Sequence, residues 1–341
     1  MVCLKGVNMP NTEKALDKFE KNVDVASYIG TTGVGSPLVR QDLEAAVIKL
    51  TDRMTPLRDI VKRTQGQGRA HAWNQRTSLG VISNPLTAGF YADGNLPTQS
   101  DPLYVQKTAA YRYIGQMATI TGPAIASARS YIDLEAEVAE STLRGVIQAE
   151  EWSLFKGSSS VNSLAFDGLD PQIVTNVVNK AGTAITDLSD MDLVIKKIRN
   201  QGGRPTHIFC SFGMQSIINR ILFSDIRVIA NQGTTVTAGV HAINYQSPAG
   251  VLPIVGDFFI NPTTPYPYNT SSSSSNDGAP TSNIYILDVP ELEVVELQGV
   301  GRTELAKIAD TVRFMVNEYL VFAVKAETWQ GVVQNVSDPA S

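Results

Sequence analysis

Residues that could act as a nucleophile and its base are few, and one such pair is close in sequence. His207 and Cys210 lie in the apolar stretch THIFCS (206–211), which predicts a short buried strand. On a strand, residues three apart point to opposite faces. The spacing therefore indicates packed core residues rather than a Cys/His catalytic pair. Cys3 lies in a polar segment and is interpreted as an incidental exposed thiol.

Motifs for metals and phosphates are incomplete. The three histidines, His71, His207 and His241, are too far apart in sequence to form a metal-binding pair. The segments Gly33–Gly35 and Gly66–Gly68 resemble fragments of phosphate-binding loops, but neither follows a strand signal or continues into Gly-Lys-Ser/Thr. Asn276–Gly278 falls well short of a calcium-binding loop. The sequence predicts no cofactor and no metal.

Carboxylates are frequent along one helical stretch and could be imagined as an acid/base cluster. They converge on no pocket that the sequence defines, so we predict that they form a solvated helix face. They are Asp133, Glu135, Glu137, Glu140, Glu150 and Glu151.

Composition narrows the class of protein. The chain has 341 residues, 43% of them hydrophobic, which is enough for a sizeable core in one or two domains. Its net charge of −5 lacks the basic surplus of a protein that grips nucleic acid. Two distant cysteines argue against a disulfide framework and favour a reducing compartment. We expect no signal peptide and no membrane-spanning helix, because no long apolar run is present.

The longest element predicted is a helix over residues 131–156. Apolar residues recur there at steps of three or four, and the stretch contains no proline. We predict Ser130 as its N-cap and Lys156 with Gly157 as its end. At about 1.5 Å per residue the helix would be roughly 39 Å long.

Before this helix, the sequence predicts a projecting loop. A helix over 41–54 ends near Pro56, and a helical turn (LRDIVKR) follows it. Strands are predicted at 69–76 and from Gln116 past Pro123 to about residue 126. The forty residues between them are dense in Gly, Pro, Asn and Asp, and connections this long usually have a function. We interpret them as a two-stranded loop that reaches outside its own subunit.

The second half of the chain predicts a small α/β unit followed by strands, so the fold class is α+β. Helices are expected at 187–201 and 212–223, and residues 261–283 read as an exposed Ser-rich loop. The predicted strands are 206–211, 234–245, 251–260, 284–288, 292–297, 313–325 and 331–336.

This order of elements resembles the major capsid proteins of tailed bacteriophages, which have the Hong Kong 97-type shell fold. The resemblance covers roughly residues 41–336 and is carried by four segments. They are IKLTDRMTPLRDIVKRTQGQGRAHAW (48–73), YIDLEAEVAESTLRGVIQAEEWSLFKG (131–157), MDLVIKKIRNQGGRPTHIFCSFGMQSIIN (191–219) and KIADTVRFMVNEYLVFAVKAETWQGVVQNV (307–336). The second resembles the family's spine helix, and the third resembles the opening of its axial domain.

The resemblance implies a division of the chain into named parts. These are an N-terminal arm (1–40), a helix leading into the peripheral domain (41–66), an extended two-stranded loop (67–128), the spine helix with the peripheral domain (129–186), an axial domain with a flexible loop at 261–283 (187–306), and returning peripheral strands (307–341).

The resemblance also implies partners. It predicts hexamers and pentamers of the chain itself in an icosahedral shell that is assembled in the host cytoplasm and encloses double-stranded DNA, which the shell binds weakly. A portal protein, a decoration protein and, because the arm is short and retains Met1, a separate scaffolding protein are further expected partners. Inter-subunit contacts are expected at Phe90, Tyr91, Leu103, Tyr104, Lys18, Phe19 and Arg40.

Two other functions stay open at the level of sequence. An encapsulin-type nanocompartment shell uses the same fold around an enzyme cargo, although the long loop and the arm favour a phage shell. A soluble α/β enzyme using His207 and Cys210 is the remote alternative.

Overall fold

The computed structural model describes residues 49, 52–80, 90–97, 99, 101–129, 132–225, 244–260 and 281–338. The chain divides into two compact units, residues 1–49 with 130–132 and residues 50–129 with 133–341. All elements described below belong to the second unit. The predicted arm, most of the predicted helix over 41–54, His241 and most of the Ser-rich loop lie outside the described residues.

The described residues contain six α-helices and three 3₁₀ turns, the latter at Phe258–Ile260, Val289–Glu291 and Glu327–Trp329. The α-helices are α1 (Pro56–Ile60), α2 (Gly122–Ala128), α3 (Leu134–Lys156), α4 (Leu169–Gln172), α5 (Ser189–Asn200) and α6 (Phe212–Asp225). The strands are β1 (Lys62–Gln65), β2 (Ala70–Ser78), β3 (Leu103–Ala110), β4 (Arg112–Thr121), β5 (Val177–Asn179), β6 (His207–Cys210), β7 (Asn244–Ser247), β8 (Gly250–Gly256), β9 (Thr281–Leu287), β10 (Leu292–Glu304), β11 (Thr311–Val324) and β12 (Gly331–Ser337).

The long helix is confirmed, but its predicted start is wrong. Helix α3 has 23 residues and is capped by Asp133, whose carboxylate accepts hydrogen bonds from the backbone N–H groups of Glu135 and Ala136. A carboxylate both satisfies free N–H groups and complements the helix dipole there. Ser130 is therefore not the cap. The predicted apolar stripe is buried at Val146 and Leu154.

A four-stranded sheet packs against α3. Its strand order is β1-β10-β11-β4, with β1 parallel to β10 and the other pairs antiparallel. Two predictions are corrected here. Residues after Ile60 leave the helix because Lys62–Gln65 pair with β10. The chain turns helical at Gly122 instead of continuing as a strand, because Pro123 suits the first turn of a helix.

The predicted α/β unit is a six-stranded mixed sheet with the order β5-β12-β9-β6-β8-β7. Helices α5 and α6 form one apolar cluster with its strands, and the buried residues include Met191, Ile195 and Ile218. Helix α5 starts where the carboxylate of Asp187 accepts a hydrogen bond from the backbone N–H of Ser189. The predicted strands 206–211, 284–288 and 331–336 are confirmed as β6, β9 and β12.

Strands β2 and β3 form a separate two-stranded sheet, here called the ribbon, as the sequence predicted. That this element reaches outside its own subunit stays a prediction. The antiparallel register of the two strands places Ala70 opposite Ala110 and Arg76 opposite Tyr104. The second strand differs from the prediction, since Gln116–Thr121 belongs to β4 of the four-stranded sheet. This segment joins the sheet because β4 pairs with β11 over ten residues.

Gly66 joins β1 to the ribbon in a place without room for a side chain. A Cβ at this position would lie 2.1 Å from the Tyr111 hydroxyl oxygen and 2.8 Å from a methyl carbon of Val295. Tyr111 is itself buried where β3 ends and β4 begins. The glycine is explained by packing at the root of the ribbon, rather than by phosphate binding.

We predict that Gly66→Val destabilises the protein by roughly 1–3 kcal/mol, since it overpacks a site closed by Tyr111 and Val295. Chemical denaturation measures the change. Gly301→Ala is the matched control, because a Cβ there comes no closer than 3.6 Å to its neighbours. Equal stability of both variants would contradict the packing explanation.

Candidate assembly surfaces and a buried charge network

Large apolar side chains are exposed on the ribbon and in the described part of the segment between its strands (90–97). Phe90 is 84% exposed, Tyr104 is 62% exposed, and Tyr91 and Leu103 are exposed as well. Six consecutive residues of β3, from Leu103 to Thr108, are exposed, so both faces of the strand are open. A two-stranded ribbon with no covered face is marginally stable in water. Its exposed side chains are therefore suited to contact with another molecule.

The root of the ribbon, by contrast, is anchored. Tyr111 packs with Val295 and Val321 in a buried apolar cluster of the four-stranded sheet. Further out along the ribbon, Gln75, which lies opposite Val105, donates a side-chain hydrogen bond to the carbonyl oxygen of Lys325, just after β11. The ribbon is thus held at its base and through Gln75 of β2, while residues 103–108 of β3 are exposed.

A second exposed apolar surface lies on β4, and it was not predicted from the sequence. Tyr113 and Met117, on the outer face of β4, are largely exposed. The ring of Tyr113 meets that of Tyr319 edge to face, with centroids 4.9 Å apart. These residues alternate with the more buried Ile114 and Ile120, as in any strand that has one buried face, so the alternation alone does not mark the surface.

All four predicted contact residues within the described part of the chain are exposed: Phe90, Tyr91, Leu103 and Tyr104. The other three, Lys18, Phe19 and Arg40, lie outside the described residues.

A charge network is buried beneath the root of the ribbon. Its centre is Arg63 of β1, whose guanidinium donates to Glu150 (2.7 Å), Glu318 (2.6 Å) and Glu296. Glu150 also accepts a hydrogen bond from Arg58 Nε, at 2.5 Å. The prediction of a solvated carboxylate face is therefore wrong for Glu150, which is completely buried because it pairs with two arginines.

Glu151 is also buried, against the same prediction. Its two carboxylate oxygens accept hydrogen bonds from the backbone N–H groups of Leu57 and Arg58, both at 2.8 Å. Burial raises the pKa of Glu151, and the nearby Asp257 carboxyl raises it further. The residue fastens the start of α1 to the long helix α3.

The Cys210 and His207 side chains do not form a catalytic pair. Cys210 is completely buried, and burial, with smaller effects from Asp338 and Asp257, raises the pKa of its thiol to about 12. Burial lowers the pKa of His207, whose ring contacts the Thr206 hydroxyl. A neutral, buried thiol is a poor nucleophile.

Among the described residues, no group of three or more His, Cys, Asp or Glu side chains is arranged to hold a metal ion. In the same part of the chain, no helix is long and apolar enough to cross a membrane.

The fold is that of capsid-type shell subunits. The capsid of a native GTA particle matches with a TM-score of 0.66 and 12% identity, over 92% of this chain and 99% of that chain. A structure from Mycobacterium phage Bobi matches with a TM-score of 0.61 and 10% identity, over 90% and 98% of the two chains. The SrpI encapsulin of Synechococcus elongatus matches with a TM-score of 0.57 and 12% identity, over 91% and 98%.

The family follows from a second comparison. The family model of the SU10 major capsid protein matches residues 28–337, and the chain belongs to this family. It is a structural subunit of a phage capsid shell and not an enzyme. The resemblance to tailed-phage major capsid proteins is confirmed. No curated protein sequence matches the chain.

We predict that Arg63→Met destabilises the protein by about 3–5 kcal/mol, because the substitution leaves buried carboxylates without their partner. Urea denaturation measures the loss. Lys307→Met is the control, since Lys307 pairs with Asp310 at 3.4 Å on the exposed surface, where such pairs contribute little. Similar small losses in both variants would show that the network does not stabilise the fold.

Proposed function

We propose that the chain assembles with copies of itself into hexamers and pentamers of an icosahedral shell that encloses phage double-stranded DNA. The observation that supports this most is the set of exposed aromatic side chains on the ribbon and between its strands, such as Tyr104 and Phe90, which have no covering surface among the residues described. A ring of subunits needs heterologous contacts, in which one surface of a copy meets a different surface of the next. The ribbon supplies one such surface, and the predicted N-terminal arm is a second candidate.

The charge of the chain suits a container for DNA. Its net charge of −5 gives no general attraction for phosphates, so packaged DNA would be held weakly and without sequence preference. Assembly in the host cytoplasm, with portal, scaffolding and decoration proteins as partners, completes the proposal. The division of the chain into arm, extended loop, peripheral domain and axial domain belongs to it as well.

We predict that Tyr104→Asp abolishes or strongly reduces shell formation and leaves the thermal unfolding of the subunit unchanged. The substitution places a charge on a surface that is exposed in the subunit and would be buried in the shell. Electron microscopy and size-exclusion chromatography count shells and free subunits.

Tyr104→Phe is the matched control, because it keeps the apolar ring. It should assemble as the unchanged chain does. Normal shells from Tyr104→Asp would show that this part of the ribbon does not lie in a contact between subunits.

The encapsulin-type shell is the second candidate, favoured by the match to the SrpI encapsulin. The contents of the particle separate the two functions. Particles from infected cells should hold DNA that resists nuclease until the shell is opened. Particles that hold an enzyme cargo and no protected DNA would support the nanocompartment.

A further inference from the structure

The network around Arg63 contains more carboxyl groups than guanidinium groups. Glu150, Glu151, Glu318 and Asp257 are all completely buried, and Glu296 is mostly buried. Among the described residues, the guanidinium groups that form ion pairs with these carboxyl groups are those of Arg58 and Arg63. Burial of an uncompensated charge is costly, and such groups usually become neutral instead.

Glu318 is the clearest place for a proton. Its Oε1 accepts the hydrogen bond from Arg63, but its buried Oε2 has no hydrogen-bond partner among the residues described. Burial and the charge of Glu150 raise the pKa of Glu318 to about 7, and Glu296 adds to the rise. Arg63 and Arg58 oppose the rise without cancelling it.

Glu151 and Asp257 form a second position in the network where a proton can be bound. The Oδ2 atom of Asp257 is buried and has no hydrogen-bond partner among the residues described. The hydrogen bonds of the two carboxyl groups come from the backbone N–H groups of Leu57, Arg58 and Phe259. Burial raises the pKa of both acids, and the nearby Asp257 carboxyl raises that of Glu151 further.

These groups connect the segment that leads to the ribbon with the body of the subunit. Arg58 and Arg63 lie on α1 and β1, Glu150 and Glu151 on α3, and Glu318 on β11. We propose that the network is a buried proton-binding site that holds the α1–β1 segment, and with it the root of the ribbon, against α3, and that loss of its protons loosens this attachment.

The direction of the pH effect follows from linkage. An acid that binds its proton more tightly in the folded state than in the unfolded state stabilises the fold at low pH. For Glu318, stability therefore falls as pH rises from the ordinary value of 4.5 towards about 7, and changes little above that. In the deprotonated network, Glu318 faces Glu150, and Glu151 faces Asp257, as like charges.

Hydrogen exchange of the unassembled full-length protein at pH 6 and pH 8.5 tests the proposal, after correction for intrinsic rates. Peptides that cover residues 56–65 should lose roughly tenfold in protection at the higher pH. Glu318→Gln, which mimics the protonated acid, should remove most of this dependence. Glu304→Gln is the matched control, because the Glu304 side chain is 78% exposed, and it should behave as the unchanged chain does.

Equal protection at the two pH values, or an unchanged pH dependence in Glu318→Gln, would overturn the proposal. If Glu318→Gln fails to fold, infrared difference spectroscopy of the unchanged chain takes its place. A protonated carboxyl band present at pH 6 should disappear at pH 8.5, and its absence at both would contradict a bound proton. Neither readout depends on shell formation, so failed assembly leaves the proposal standing.

Discussion

The partly buried guanidinium of Arg63 is the constraint on which much of the structure depends. Taking a charge out of water costs several kcal/mol, and the cost is offset only if well-placed partners surround it. Those partners lie 87, 233 and 255 residues away in sequence, on α3, β10 and β11. The fold must therefore bring four elements together before Arg63 can pair with all three carboxylates. Once it has done so, the position of β1 is fixed.

Fixing β1 also fixes the ribbon that follows it. The backbone at Gly66 packs closely against Tyr111, and this contact restricts the conformation of the chain between β1 and β2. The ribbon thus has a rigid root and an exposed apolar outer strand. In a ring of subunits, the same contact must recur in the same geometry. A rigid root suits this requirement, because it gives the ribbon of every copy the same orientation relative to its own subunit.

Hydrophobic periodicity predicted the elements that it governs. The long helix and the helix–strand–helix order from α5 to α6 were readable because buried apolar residues there repeat at regular steps. Hydrophobic periodicity failed at Glu150 and Glu151, because it places charged residues in solvent and contains no information about partners that are distant in sequence. The helical prediction for Lys62 and Arg63 failed for a related reason, because the pairing of β1 with β10 outweighs local propensity.

The exposed apolar surfaces were predictable in part. Leu103 and Tyr104 were predicted as contact residues because a long segment rich in turn residues carried apolar side chains without a periodic core. The structure shows these side chains exposed, and their contact with another subunit stays a prediction. Tyr113 and Met117 were missed, because a strand with one open face in the subunit has the same alternating pattern as any half-buried strand.

The most direct test of the account is electron microscopy of the purified, unchanged chain, expressed alone and together with the proteins encoded beside it. The account predicts closed shells, or rings of five and six subunits, in which density from the ribbon of one copy lies on its neighbour. A protein that stays a monodisperse monomer under every condition, with its ribbon uncovered, would contradict it.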